Sequence, residues 1–192
     1  FILAFGVLLL AALVLLYRLV NGMSEKNQKR LGLVFFLILS VGQLGFLAVI
    51  RPQLRYDPLK IFDMAIEMLR THTISGTYET GYFARYTNNY PLTILTYWLL
   101  KLLQGVGVPE SGFMLAVQLV NVVCILVSVV LGYLILKELK GRTEAVFFLG
   151  VCVLCPLSYV WAGYFYTANC SMPFLMGIVY LGIRIQKALD AF

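Results

Sequence analysis

Charge is scarce in this chain: 12% of its 192 residues are Asp, Glu, Lys or Arg, 61% are hydrophobic, and the mean hydropathy is +0.88. A soluble enzyme and a disordered chain both need far more polar surface, so both are excluded. Histidine is down to His72 alone, which has no Cys or His neighbour and reads as a loop residue, not a metal ligand. Four cysteines are too few and too badly placed for a secreted disulfide scaffold. Cys124, Cys152 and Cys155 fall inside apolar runs and Cys170 near the end of one, so they read as small packing residues. The Cys152 and Cys155 pair has the C-x-x-C spacing but neither the partners nor the polar setting of a metal or redox site. No metal and no cofactor is expected. Acidic residues are outnumbered fifteen to nine, a net charge of +6. The basic residues flank the apolar runs, where they report orientation in a membrane, so no nucleic-acid partner is read from them.

What the chain has in quantity is apolar sequence in runs of about twenty residues, each able to cross a hydrocarbon core of roughly 30 Å at about 1.5 Å per residue. Five runs are expected to span: 1–20, 31–50, 112–136, 145–161 and 172–185. The first lacks a basic lead-in and ends in Tyr17 and Arg18 without a small-residue cleavage site, so it reads as a retained helix and not a signal peptide. Loop 21–30 carries Lys26, Lys29 and Arg30 beside Arg18, and Lys137, Lys140 and Arg142 follow the third run. Arg184 and Lys187 close the fifth. By the positive-inside rule these ends are cytoplasmic, which puts segment 51–111, with most of the acidic residues, on the outer face of the plasma membrane. The fourth run carries Pro156 and emerges in Tyr159, Trp161, Tyr164, Phe165 and Tyr166, an interface belt. Segment 92–103 is apolar but spans only about 18 Å as a helix, too short to cross. It reads as a helix lying at the outer interface, Tyr97 and Trp98 at headgroup level and Lys101 snorkelling. The expected fold class is therefore all-α: a polytopic transmembrane helical bundle with five spans and a helical outer loop. Because the chain opens and closes at apolar runs, it reads as one transmembrane segment of a longer membrane protein.

The outer loop holds the candidate chemistry. Asp57 and Pro58 look like an N-cap and first helical residue. Leu59, Phe62, Ile66 and Leu69 then recur at helical spacing, with Lys60, Asp63, Glu67 and Arg70 on another face. Those four charges read as a solvated, mutually compensating face. Asp57 lies within a few residues of a membrane helix, where a general base would meet a lipid-linked substrate; cap and base both remain open for it. Downstream, Tyr82, Arg85, Tyr86, Asn88, Asn89, Tyr90 and Pro91 crowd aromatics, amides and a guanidinium into one stretch. Tyrosines stack on sugars, amides bond hydroxyls in pairs and Arg forks onto phosphate, so a sugar or phosphate subsite is one reading. Turn chemistry is the other.

The Asp-led outer segment, the Tyr86-Thr87-Asn88-Asn89-Tyr90-Pro91 element, the short helix ending Trp98-Leu99-Leu100-Lys101-Leu102-Leu103 and the long return helix together resemble the membrane glycosyltransferases of the GT-C fold. The nearest branch is the dolichyl-phosphate-mannose mannosyltransferase-like and aminoarabinose-transferase-like proteins, and the resemblance covers roughly 31–185, the amino-terminal part of such an enzyme. It implies sugar transfer from a polyprenyl-phosphate-linked donor to a glycan, lipid or protein acceptor at the outer membrane face. It also implies that Asp57 is the catalytic base, with Asp63 in reserve. Arg85, then Lys60, would face the departing phosphate, and Tyr86, Asn88 and Asn89 would orient the sugar. A second element, Tyr166-Thr167-Ala168-Asn169-Cys170-Ser171-Met172-Pro173-Phe174, is similar to a family segment that usually carries an acid before Pro-Phe; here Ala168 or Asn169 stands in that place. Asn169-Cys170-Ser171 also fits a glycosylation sequon, read as coincidental so close to the membrane. The rival classes are a polytopic transporter or flippase, which would carry ionisable residues inside its spans, and a non-catalytic membrane assembly subunit.

Overall fold

The structure, a computed structural model, describes residues 2–73 and 81–191; residues 74–80 of the expected outer loop lie outside the described residues. Among the described residues every regular element is helical. In chain order these are α1 (Ile2–Asn21), α2 (Glu25–Ile50), α3 (Tyr56–Thr71), α4 (Tyr82–Arg85), α5 (Tyr90–Gly105), α6 (Phe113–Leu139), α7 (Arg142–Leu154), α8 (Leu157–Val160) and α9 (Thr167–Leu189). Short 3-10 turns occupy Thr87–Asn89, Glu110–Gly112 and Trp161–Gly163. Three helices are long and apolar enough to cross a membrane: α2, the Glu110–Leu139 helix and α9. A fourth span results if α7 and Leu157–Gly163, bent by 75° at the break between them, are taken together. In helix α1 the apolar stretch Gly6–Asn21 is shorter than these.

The expected fourth span, 145–161, is broken at the proline noted in its sequence. Pro156 has no N–H to offer the preceding turn and clashes with it, and it pushes Cys155 out of the helical region to an extended conformation. The carbonyls this frees find side-chain donors. Tyr159 donates its hydroxyl to the Val153 carbonyl at 2.7 Å, and Gln43 Nε2 donates to the Ser158 carbonyl at 2.7 Å. Gly42 must be glycine here, because the Tyr159 ring occupies the space a Cβ would take.

The chain divides into two compact units, Phe1–Gln43 with Leu126–Tyr159 and Pro173–Phe192, and Leu44–Ile125 with Val160–Met172. In the first, α1 packs on α7, where Gly150 lets Leu16 and Phe35 approach the backbone: a Cβ would stand 2.8 Å from Leu16 Cδ2. Polar contacts join the helix ends. Gln28 Nε2 donates to the Val20 carbonyl and to Thr143 Oγ1, both at 3.0 Å, and Arg142 pairs with Glu25 at 2.9 Å. Lys187 and Arg184 meet Glu138 at 2.9 and 3.6 Å. The loops and termini that carry the basic clusters are thus gathered together.

The second unit is built around a core of Leu54, Ile61, Ala65, Leu69, Leu92, Leu100, Phe113, Val117 and Phe165. Helix α3 packs on α5, each supplying one apolar stripe. On α5 the buried positions are Leu92, Thr93, Thr96 and Leu100, while Leu95, Trp98 and Leu102 on the other side are exposed. This is the pattern of a helix lying against a surface. Its sixteen residues fall short of a span. Lys101 Nζ sits 4.9 Å from the Trp98 ring centroid and 5.6 Å from that of Tyr97, which draws its stem along the aromatic pair.

Candidate functional site

Asp57 stands in the first turn of α3, but it is not the N-cap. Arg55 holds that position and makes no side-chain capping bond, and Tyr56 takes a left-handed φ of 54°. The left-handed residue starts the helix one turn position early, so Pro58 is also not the first helical residue, and the Asp57 carboxylate is free for another partner. That partner is Tyr166, whose hydroxyl donates to Asp57 Oδ2 at 3.1 Å across 109 residues of sequence. Tyr82 is the second hydroxyl at the carboxylate. Burial first, then its hydrogen bond to Asp57 and the Asp57 charge, push the Tyr82 hydroxyl well above the ordinary tyrosine range, with Asn89 acting the other way. Tyr164 is raised too, by burial and then by the charge of Asp57.

Asn89 ties this group together. It is fully buried; its Nδ2 donates to the Tyr82 hydroxyl oxygen at 2.6 Å, and its Oδ1 accepts from Thr167 Oγ1 at 2.8 Å and from Asn88 Nδ2 at 3.3 Å. The two stretches singled out in the sequence, 82–91 and 166–174, therefore meet Asp57 in one carboxylate, tyrosine and amide cluster. Asn89 is spent on internal bonds, so any bearing it has on a substrate runs through Tyr82 and Thr167. Tyr86 is exposed and stacks on Tyr82 with ring centroids 4.9 Å apart, and Asn88 is exposed beside it.

Of the two expected cations, Arg85 is exposed on the same short helix as Tyr82, and Lys60 is exposed one turn along α3 from Asp57. No hydrogen bond or ion pair among the described residues joins either to Asp57. Asp63, a further turn on, has its carboxyl raised by partial burial, with the Lys60 charge opposing. The solvated face proves to be only partly self-compensating, because Arg70 pairs with Glu110 and not with an acid of its own helix.

The apolar runs conceal a second set of polar side chains. Gln118 and Asn121, one turn apart on α6, are almost wholly buried. Gln118 Nε2 donates to the carbonyls of Pro52 at 2.7 Å and Gly163 at 3.3 Å; Asn121 Nδ2 donates to those of Trp161 at 2.8 Å and Ala162 at 3.0 Å. Asn169 Nδ2 donates to Asn121 Oδ1 at 3.1 Å and to the Tyr164 carbonyl at 2.8 Å. Three amides thus hold the 3-10 turn that leads into Tyr164 and Tyr166. Asn169, one of the two residues that stand where an acid was expected, is therefore a backbone clamp. The sequence signal was there, two amides at i and i+3 inside an otherwise apolar run.

These features define a helical protein with span-length apolar helices and a polar cluster built on one carboxylate. No known family matches the chain, and neither a curated protein nor a solved structure does so.

Proposed function

We propose that the chain is the amino-terminal, carboxylate-bearing part of a GT-C-type membrane glycosyltransferase with five spans, acting at the outer face of the plasma membrane on a polyprenyl-phosphate-linked sugar. The observation that carries the reading is the meeting of Asp57 with Tyr82 and Tyr166, one hydroxyl from the aromatic and amide stretch 82–91 and one from the element the resemblance marked at 166–174. In the reaction an acceptor hydroxyl oxygen attacks the anomeric carbon, its proton passes to Asp57, and the bond from that carbon to the phosphate oxygen breaks with inversion. The polyprenyl phosphate leaves as an anion. Arg85 and Lys60, exposed and free of ion pairs among the described residues, are the cations to receive it. Tyr86 and Asn88 offer a stacking face and an amide to the sugar, while Asn89 holds Tyr82 in place.

The broken fourth span favours a transporter as the second reading, since discontinuous helices expose carbonyls that can coordinate a solute. Here Gln43, Tyr159, Gln118, Asn121 and Asn169 already occupy the Val153, Ser158, Trp161, Ala162, Gly163 and Tyr164 carbonyls. That weighs for the enzyme. The test is to supply the full-length protein in vesicles with radiolabelled polyprenyl-phosphate sugars. Labelled product that vanishes in Asp57→Asn supports the reading; solute uptake without glycosyl transfer replaces it with the transporter.

A further inference from the structure

A groove of about 440 Å³ shares no lining residue with the Asp57 cluster; Leu47, Ala48, Arg51, Gln53, Met114 and Leu115 line it, and Pro52 and the buried Gln118 close it. Its two ends differ in chemistry. Leu47, Ala48, Met114 and Leu115 make its apolar side, and their neighbours in sequence Val49, Ile50 and Leu119 are exposed apolar residues of the same two helices. The other end is polar, with Arg51, Gln53 and Ser111. Arg51 ends α2 in a left-handed conformation, φ 47°, its N–H bonded to the Leu47 carbonyl at 3.1 Å. It has no ion pair among the described residues, and no carboxylate lines the groove. Glu110, beside Ser111, is neutralised by Arg70.

We infer that this groove holds an anionic phospholipid of the surrounding leaflet, one acyl chain along Leu47, Met114 and Leu115 and its phosphate on the Arg51 guanidinium. The choice follows from charge and from position. A lone cation at the end of a span-length helix stands where phosphates of a bilayer lie, and it pairs with phosphate by a bidentate fork. Ser111 and Gln53 add neutral donors suited to phosphate oxygens. A zwitterionic lipid brings its own cation to compete with Arg51, so net negative headgroups are preferred. The inference does not rest on sugar transfer.

Native mass spectrometry of the full chain, carrying phosphatidylglycerol and phosphatidylcholine at equal mole fraction, tests it. Wild type is expected to retain phosphatidylglycerol in preference. Arg51→Asn, which suits the left-handed backbone but removes the charge, should cut that preference about fivefold, as expected for one surface cation. Leu115→Trp, on an exposed face, should fill the apolar side of the groove and reduce retained lipid by one copy, and it keeps the test decisive should Arg51→Asn misfold. Equal retention of the two lipids by wild type, or a preference unaltered in both variants, overturns the inference. So does a polyprenyl phosphate that displaces phosphatidylglycerol at equal concentration in an Arg51-dependent way, since the groove would then belong to an isoprenoid phosphate.

Discussion

The two tyrosine hydroxyls on one carboxylate decide what single substitutions should do. Asp57→Asn keeps an acceptor for Tyr166 and, because Arg55 and not Asp57 is the cap, removes no capping bond. Its effect on turnover is therefore a clean reading of the base: a fall of about 10²- to 10⁴-fold with unchanged folding, against near-normal rates for Asp63→Asn. Near-normal turnover in Asp57→Asn would remove the base from Asp57 and send the search to Asp63. Tyr82 adds a pH dependence. Its pKa is raised on folding above the ordinary value of 10.0, so its contribution to stability is complete below that value and is lost as pH rises through the higher, folded one. Denaturation curves at increasing alkalinity should show wild type losing more stability above about pH 10 than Tyr82→Phe does; parallel losses would show that the hydroxyl is not held. The residue types of this site were legible in sequence, since Asp57, Tyr82, Asn89 and Tyr166 all lie in stretches noted for their chemistry. Their grouping was not, because the partner of Asp57 lies 109 residues away and the left-handed Tyr56 that frees its carboxylate has no sequence signature.

At the scale of elements, run length gave α2, α6 and α9 nearly in place, and the shortness and aromatic content of 92–103 gave the non-crossing α5. The fourth run, 145–161, stands as a span only if α7 and Leu157–Gly163 are taken together across their 75° bend, because hydropathy averages over Pro156 and does not report the bend it makes. Pro156 breaks the helix, and the 3-10 turn that ends at Gly163 leaves the Ala162 and Gly163 carbonyls outside any continuing helix, where burial is tolerated only if protein donors reach them. Gln118 and Asn121 do so. Their burial would be costly in an apolar setting without those bonds, and the carbonyls would be costly without the amides. Asn121→Leu preserves size but leaves the Ala162 carbonyl without its donor and takes one of two partners from the Trp161 carbonyl, which keeps the Tyr164 N–H, and from the Asn169 amide, which keeps the Tyr164 carbonyl, so a loss of about 1–3 kcal/mol is expected in denaturation of the purified protein. Leu119→Ala on the exposed face of the same helix is the control and should cost far less. Equal losses would mean that the amides are incidental to the turn.

For the whole molecule, the open question is whether α1 crosses, because that alone separates five spans from four. The basic ends give the frame: Arg142 pairs with Glu25 and Lys187 with Glu138, so residues from three basic clusters converge within one unit, as a common cytoplasmic side requires. Asn27 is exposed among them and Asn88 is exposed in the long segment between α2 and α6. With Cys124, Cys152, Cys155 and Cys170 replaced, a cysteine at Asn27 should react with an impermeant reagent only after permeabilisation, and one at Asn88 without it. The deciding position is Gly6, exposed in α1 with nothing within 4 Å of an added Cβ, so a cysteine there disturbs no neighbour. If α1 spans, Gly6→Cys lies across the bilayer from Asn27 and is labelled from outside. Labelling of Gly6→Cys from the same side as Asn27 would place α1 along the cytoplasmic surface and leave four spans, with the broken helix counted as one. The α1 sequence favours crossing: from Gly6 to Val20 its one charged residue is Arg18, at the end that the positive-inside rule holds in the cytoplasm.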